Sequence, residues 1–173
     1  AESTKIYLKI DDELVGAILL KDEAKHGTRE AIQALNSRGI VTKMFTGDNK
    51  KAAKQIAEEL GISEFEAEML PDQKYSELEK ELEKYKGTNG KVAFVGDGIN
   101  DSPVLARADV GISMGGVGSG SAIEASDIVV MTDSIDRIDC AIDISKKTSK
   151  IIKQNLIFSI GVKIVVLILS VFG

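Results

Sequence analysis

Gly96-Asp97-Gly98-Ile99-Asn100-Asp101 holds the densest set of chemically useful groups in the chain. Asp97 and Asp101 stand four residues apart, and the glycines let the backbone turn tightly. A hard cation such as Mg²⁺ takes oxygen ligands and keeps several waters, so one or two carboxylates suffice to hold it. Asn100 adds an amide able to donate to a phosphate oxygen. An isolated Gly-Asp-Gly is more often an ordinary turn. Six such positions directly after the apolar run Lys91 to Val95 favour a magnesium and phosphate site instead.

Thr46-Gly47-Asp48 also follows an apolar run. A hydroxyl and backbone N–H groups at a strand-to-helix turn suit a phosphate, helped by the helix dipole. Taken alone, Thr46 and Asp48 are as readily helix N-caps. Lys74, in Pro71-Asp72-Gln73-Lys74, offers an ammonium where phosphoryl oxygens gather charge. Taken alone, it is a surface lysine like Lys80 and Lys84 in the same stretch.

The elements that must position these groups alternate in type. Lys5 to Ile10 and Leu14 to Leu20 flank Asp11-Asp12-Glu13, the pattern of a β-hairpin. Thr28 to Asn36 puts Ala31, Ile32 and Leu35 on one helical face, and Gly39 stops it. Ile40 to Phe45 reads as a strand, and Lys50 to Leu60 as a helix stopped by Gly61. Pro71 to Lys86 is a charged helix with proline in its first turn. Lys91 to Val95 is a strand, Ser102 to Ala108 a helix, and Val110 to Ser113 and Ile128 to Met131 are buried strands. Such alternation predicts an α/β fold with a parallel sheet covered on both faces. Ligands of such sheets bind beyond the carboxyl ends of the strands. The loops at Thr46 and Asp97, about fifty residues apart, both fall there and could face one site.

The last segment differs. Ser134 to Asn155 is helical in pattern, and Leu156 to Phe172 is almost continuously apolar. At ~1.5 Å per residue this apolar run spans about 25 Å, slightly short of a bilayer's hydrocarbon core of about 30 Å. Lys146, Lys147, Lys150 and Lys153 precede it, as on a cytoplasmic flank. A membrane helix is expected, with a buried or partner helix as the alternative.

Composition narrows the rest. Lys and Arg total 22 against 27 Asp and Glu, a formal net charge of -5 in 173 residues, which gives no support to a nucleic-acid surface. The single cysteine, Cys140, excludes an internal disulfide or a Cys-x-x-Cys pair and is expected to be a plain helix residue. His26 is expected to be a loop residue. The first twenty residues carry charges throughout, so no signal peptide is expected there.

Three blocks then carry a resemblance. Met44-Phe45-Thr46-Gly47-Asp48-Asn49, Pro71-Asp72-Gln73-Lys74, and Val95-Gly96-Asp97-Gly98-Ile99-Asn100-Asp101-Ser102-Pro103-Val104-Leu105 continue into Ala108-Asp109-Val110-Gly111-Ile112-Ser113-Met114-Gly115. Together they resemble the phosphorylation domain of P-type ATPases, a branch of the haloacid-dehalogenase-like superfamily with a Rossmann-like parallel sheet. The resemblance implies that Asp97 and Asp101 serve a Mg²⁺ site. It implies that Thr46 and Asn100 hold phosphoryl oxygens, with the Gly47 and Gly98 backbone nearby. Lys74 would neutralise charge during transfer, and Asp48 would lie toward the nucleotide. ATP, a transported divalent metal, the membrane and the remainder of an ATPase chain are the implied partners. The phosphorylation domain would sit on the cytoplasmic side of a cell membrane.

One departure matters. The family forms its aspartyl-phosphate on an Asp-Lys-Thr-Gly-Thr motif, and this sequence has none. The chain by itself is therefore expected to be inactive. The expected division is a remnant of the nucleotide-binding domain and hinge at 1–20, the phosphorylation domain without its nucleophile segment at 21–133, a stalk helix at 134–155 and a transmembrane helix at 156–173. Lys163, inside the apolar run, resembles the lysine of zinc, cadmium and lead exporters and is expected on the ion pathway. The alternatives are a regulatory or partner module completed by a second chain, and a soluble phosphatase of the same superfamily.

Overall fold

The computed structural model describes residues 4–20, 24–96, 100–115, 120–132 and 134–173. They form two compact units, Ala1–Asp136 and Arg137–Gly173.

The first unit opens with the expected hairpin, β1 (Thr4–Ile10) and β2 (Glu13–Leu20), paired antiparallel. Asp11 and Asp12 take φ of 47° and 66°, the left-handed pair that a two-residue hairpin turn requires. The cross-strand partners Ile6 and Ile18 remain about half exposed.

Helix α1 (Thr28–Ser37) buries Ala31, Ile32 and Leu35, as its periodicity predicts. Gly39, at φ 78°, turns the chain out of it. The next strand, β3 (Lys43–Phe45), starts later than expected. The Ile40 N–H is drawn back to the Leu35 carbonyl at 3.2 Å, closing the helix end, and so is lost to a strand ladder. Helix α2 (Lys50–Leu60) has the predicted bounds, and Gly61 ends it in the left-handed region. Strand β4 (Glu64–Glu66), parallel to β3, was not foreseen: one phenylalanine between two glutamates carries too little apolar pattern.

Helix α3 (Pro71–Tyr85) leads to β5 (Ala93–Gly96), α4 (Ser102–Arg107), β6 (Val110–Met114), α5 (Gly120–Ala125) and β7 (Ile128–Val130). Strands β5, β6 and β7 form a parallel sheet in that order. The short helix α5 was also not foreseen, because its segment begins at a glycine among other glycines. The α/β fold with parallel strands is thus as expected, but the described strands fall into two parallel pieces, β3–β4 and β5–β6–β7.

The core joins those pieces. Leu78 of α3, Phe94 of β5, Val104 and Leu105 of α4 and Ala122 of α5 are buried together, with Phe45 of β3 packed against them. The Phe45 and Phe94 ring centroids lie 6.4 Å apart. No ladder hydrogen bonds join β3 to β5 among the described residues, so each keeps one edge unpaired. Carboxylates close the opposite ends of two strands. Asp109 accepts the Val92 N–H at 3.0 Å and Asp127 accepts that of Gly111 at 2.9 Å. The Val92 hydrogen bond, aided by Lys91, holds the Asp109 carboxyl below its ordinary range against a smaller opposing effect of burial.

The second unit is helical. Helix α6 (Asp136–Phe172) runs unbroken for 37 residues, merging the two segments expected at 134–155 and 156–172. Its apolar part has a mean hydropathy of 2.4, long and apolar enough to cross a membrane.

Candidate functional site

The turn after β3 settles one ambiguity of the sequence. The N-cap of α2 is Asn49, whose side-chain oxygen accepts the Ala52 N–H at 2.9 Å. Thr46 and Asp48 are thereby free of the capping role. Instead the Thr46 hydroxyl donates to the Asp48 carboxylate at 2.7 Å, and the Asp48 N–H donates to the Thr46 hydroxyl oxygen at 3.1 Å.

The same turn is laced to the entry of α3. The Met69 N–H donates to the Thr46 carbonyl at 3.0 Å, and the Glu68 N–H to the Asp48 carbonyl at 2.8 Å. Helix α3 then starts sharply. Pro71 fills its first turn, where a missing N–H costs nothing, and the Gln73 side-chain oxygen accepts the Leu70 N–H at 2.8 Å. Four residues into the helix chain from Leu70, Lys74 leaves toward the interior.

Lys74 is no surface lysine. Its ammonium stands 3.0 Å from the Asp101 carboxylate, and the two side chains are only 21% and 11% exposed. Lys80, on the same helix, is 73% exposed. Asp101 has its own backbone in the start of α4, where its carbonyl accepts the Val104 and Leu105 N–H groups. That leaves its carboxylate available: Oδ1 meets Lys74, and Oδ2 lies against the Gly96 backbone, 3.0 Å from where a β-carbon would stand. Asn100 is exposed beside it. Asp97, Gly98 and Ile99 lie outside the described residues.

A magnesium ion asks for one or two hard oxygens and open positions for water and phosphate. Asp101 could contribute one such oxygen: its carboxylate is largely buried, and one oxygen is not engaged by Lys74. Among the described residues no group of three or more His, Cys, Asp or Glu side chains gathers to hold a metal, at Asp101 or elsewhere. The site as described therefore brings together Lys74 and Asp101, and links Thr46, Gly47 and Asp48 to them through the start of α3. Lys163 lies in the second unit, on the exposed apolar stretch of α6.

Three further residues were missed. Lys43, the first residue of β3, reaches Glu77 at 3.2 Å and Glu81 at 3.0 Å on α3. Burial alone would lower the Lys43 pKa, but the hydrogen bonds and charges of Glu81 and Glu77 outweigh it and raise the value. Glu77 is held below its ordinary range, first by Lys80, against the effect of burial, and then by Lys43. The signal was present as spacing: Lys74, Glu77, Leu78 and Glu81 recur at three, four and seven residues, one stripe of a helix.

Comparison with known proteins follows the same lines. The family described as haloacid dehalogenase-like hydrolase matches residues 1–109. The cadmium, zinc and cobalt-transporting ATPase of Bacillus subtilis is 47% identical over 98% of this chain, and the chain covers 24% of that protein. A zinc-transporting ATPase of Synechocystis is 43% identical over 98% of the chain and 23% of its own length. The crystal structure of a zinc-transporting PIB-type ATPase in its E2.Pi state superposes with a TM-score of 0.81 at 32% identity, over 99% of this chain and 27% of that one. The chain thus spans about a quarter of the length of the curated relatives it matches. Its parallel strands, the Lys74–Asp101 pair and these matches agree: the chain belongs to the haloacid dehalogenase-like hydrolase family, with cadmium- and zinc-transporting ATPases as its relatives over nearly its whole length.

Proposed function

We propose that this chain works as part of an ATP-driven exporter of zinc, cadmium or lead, supplying magnesium- and phosphate-binding residues to an aspartyl-phosphate cycle. The observation that carries this is the Lys74–Asp101 pair at 3.0 Å, tied by backbone hydrogen bonds to the Thr46 turn. An ammonium, a hydroxyl and a buried carboxylate in that relation suit phosphoryl transfer, where catalysis is positioning plus electrostatics.

In the proposed cycle a carboxylate from the remainder of the ATPase attacks the γ-phosphorus of ATP. An oxygen–phosphorus bond forms, the bond to the β-phosphate oxygen breaks, and ADP leaves. Water then attacks the phosphoryl group, freeing the carboxylate and inorganic phosphate. Lys74 and Asn100 donate to the phosphoryl oxygens as negative charge gathers on them, and Thr46 joins them by turning its one hydroxyl proton away from the Asp48 carboxylate. The Gly47 and Gly98 backbones lie close by, and Asp48 faces the nucleotide. Asp97 and Asp101 would hold a Mg²⁺ ion, which would supply balancing positive charge.

The domain roles follow. Residues 1–20 are the return from a nucleotide-binding domain, 21–133 the phosphorylation domain without its nucleophile segment, 134–155 a stalk and 156–173 a membrane span with the soluble unit on the cytoplasmic side. The free edges of β3 and β5 support a nucleophile-bearing strand arriving from outside this segment. Lys163 serves as a fixed counter-charge on the ion's path.

The test uses labelled ATP. The 173-residue chain alone should form no acid-stable phosphoenzyme, whereas the complete ATPase carrying it should, and Asp97→Ala there should abolish turnover. Strong labelling of an aspartate in the chain alone would overturn the missing-nucleophile reading. Turnover restored by mixing with a separate chain would favour the partner-module reading.

A further inference from the structure

We propose that Lys43 is a positioning residue: its bridge to Glu77 and Glu81 sets where α3 holds the Lys74 ammonium. This rests on the role proposed above for Lys74.

Helix α3 is anchored by two kinds of contact, apolar and charged. Leu78, 1% exposed, is buried in the core, and Leu82 one turn on packs against the same cluster. The helix's ion pair with α4, Glu79 to Arg107, lies at the exposed surface. Apolar burial is non-directional, so these leucines hold the helix down without closely fixing its roll or slide. Hydrogen bonds between charged groups are directional and do fix them. Lys43 provides such bonds at two points, Glu77 and Glu81, one turn apart. At ~1.5 Å per residue those points lie roughly 4.5 and 10.5 Å along the axis from Lys74, on the same face.

The network is closed on its outer side as well. The second oxygen of Glu77 accepts from Lys80 at 2.7 Å, and that of Glu81 stands 3.6 Å from Lys84. Glu66 of β4 is 3.7 Å from the Lys43 ammonium, and the Phe45 ring centroid 5.5 Å. Among the described residues, the side chains named here as converging on Lys43 belong to α3 or to the β3–β4 pair. Lys43 is also three residues before Thr46. The short strand that presents the hydroxyl thus also grips the helix that presents the ammonium. One gauge sets both, and a misplacement of about 1 Å can cost on the order of 10²-fold in rate.

The experiment is a mutant cycle in the complete ATPase. Lys43→Met keeps the length of the side chain and removes its charge. It should slow phosphoenzyme turnover and weaken orthovanadate inhibition by about 10-fold each, leaving the KM for ATP within about two-fold. Lys43→Arg should restore most of the loss. In a Lys74→Ala background, Lys43→Met should add less than about two-fold, because its effect runs through Lys74. Full multiplication of the two losses, or unchanged orthovanadate inhibition in Lys43→Met, overturns the proposal. If Lys43→Met does not fold, Glu81→Gln keeps the Glu77 bond and should show the same pattern at about a third of the size; no change in orthovanadate inhibition there overturns it equally. Full activity in Lys74→Ala alone would instead overturn the underlying role of Lys74.

Discussion

The first turn of α3 and the two turns after it make ion pairs of opposite economy. At the first turn one ammonium, Lys74, meets one carboxylate, Asp101, among the described residues. An ammonium has three donors, so this one retains capacity for a further oxygen ligand. Along the next turns two carboxylates share the Lys43 ammonium, and their outer oxygens face Lys80 and Lys84. That cluster has little left to offer a ligand. Under the role proposed for Lys74, the saturated cluster holds the helix and the unsaturated one is left to bind, on the same face of the same helix.

The contrast can be broken by removing the ammonium that binds. Lys74→Ala in the complete ATPase should lower phosphoenzyme turnover by on the order of 10²-fold, measured with labelled ATP at saturating nucleotide. A loss confined to KM would place Lys74 in substrate binding alone. Next in size is Leu78→Ala, which removes the apolar contact between the two clusters. It should cost about 2–5 kcal/mol of unfolding free energy in urea titration, and both ion pairs should weaken together. Turnover lost with full stability would mean that Leu78 is no anchor.

The pH dependence of the Lys43 cluster is a smaller and sharper test. Glu77 has its folded pKa lowered, so its contribution is present above the unfolded value of about 4.3 and fades as pH falls through the folded value. Lys43 has its folded pKa raised, so its contribution is present below about 10.4 and fades as pH rises through the folded value. The stability difference between wild type and Glu77→Gln should therefore be flat around neutral pH and shrink toward acid. A difference that grows on acidification would reverse the assignment. Smallest of all is Lys86→Ala. Lys86 pairs with Glu83 at 2.9 Å with both side chains about 70% exposed, and its loss should shift stability by under about 1 kcal/mol.

Much of this was legible in the residues, for reasons that differ by element. The bounds of α2 were readable because a capping residue and a glycine stop bracket an amphipathic run. The Thr46 turn was ambiguous because Thr46, Asp48 and Asn49 are all good caps; the Asn49 hydrogen bond to Ala52 decided it. Lys74 was indistinguishable from Lys80 by type and neighbours. Only the packing of Leu78 turns that face inward, and burial is a tertiary fact. Strand β4 was hidden because its ladder with β3, and not its own pattern, makes it a strand. The Lys43 cluster was written in the stripe from Lys74 to Glu81, but its partner lies more than thirty residues earlier, where no local rule reaches.

The edges of β3 and β5 left unpaired among the described residues carry a practical consequence for anyone preparing this chain alone. Open strand edges are templates, and two copies of the chain can satisfy each other's free backbone groups. Overproduced by itself, the unit Ala1–Asp136 should tend toward ordered aggregates rather than monodisperse solution. A short strand-forming peptide added during refolding is the remedy the topology suggests.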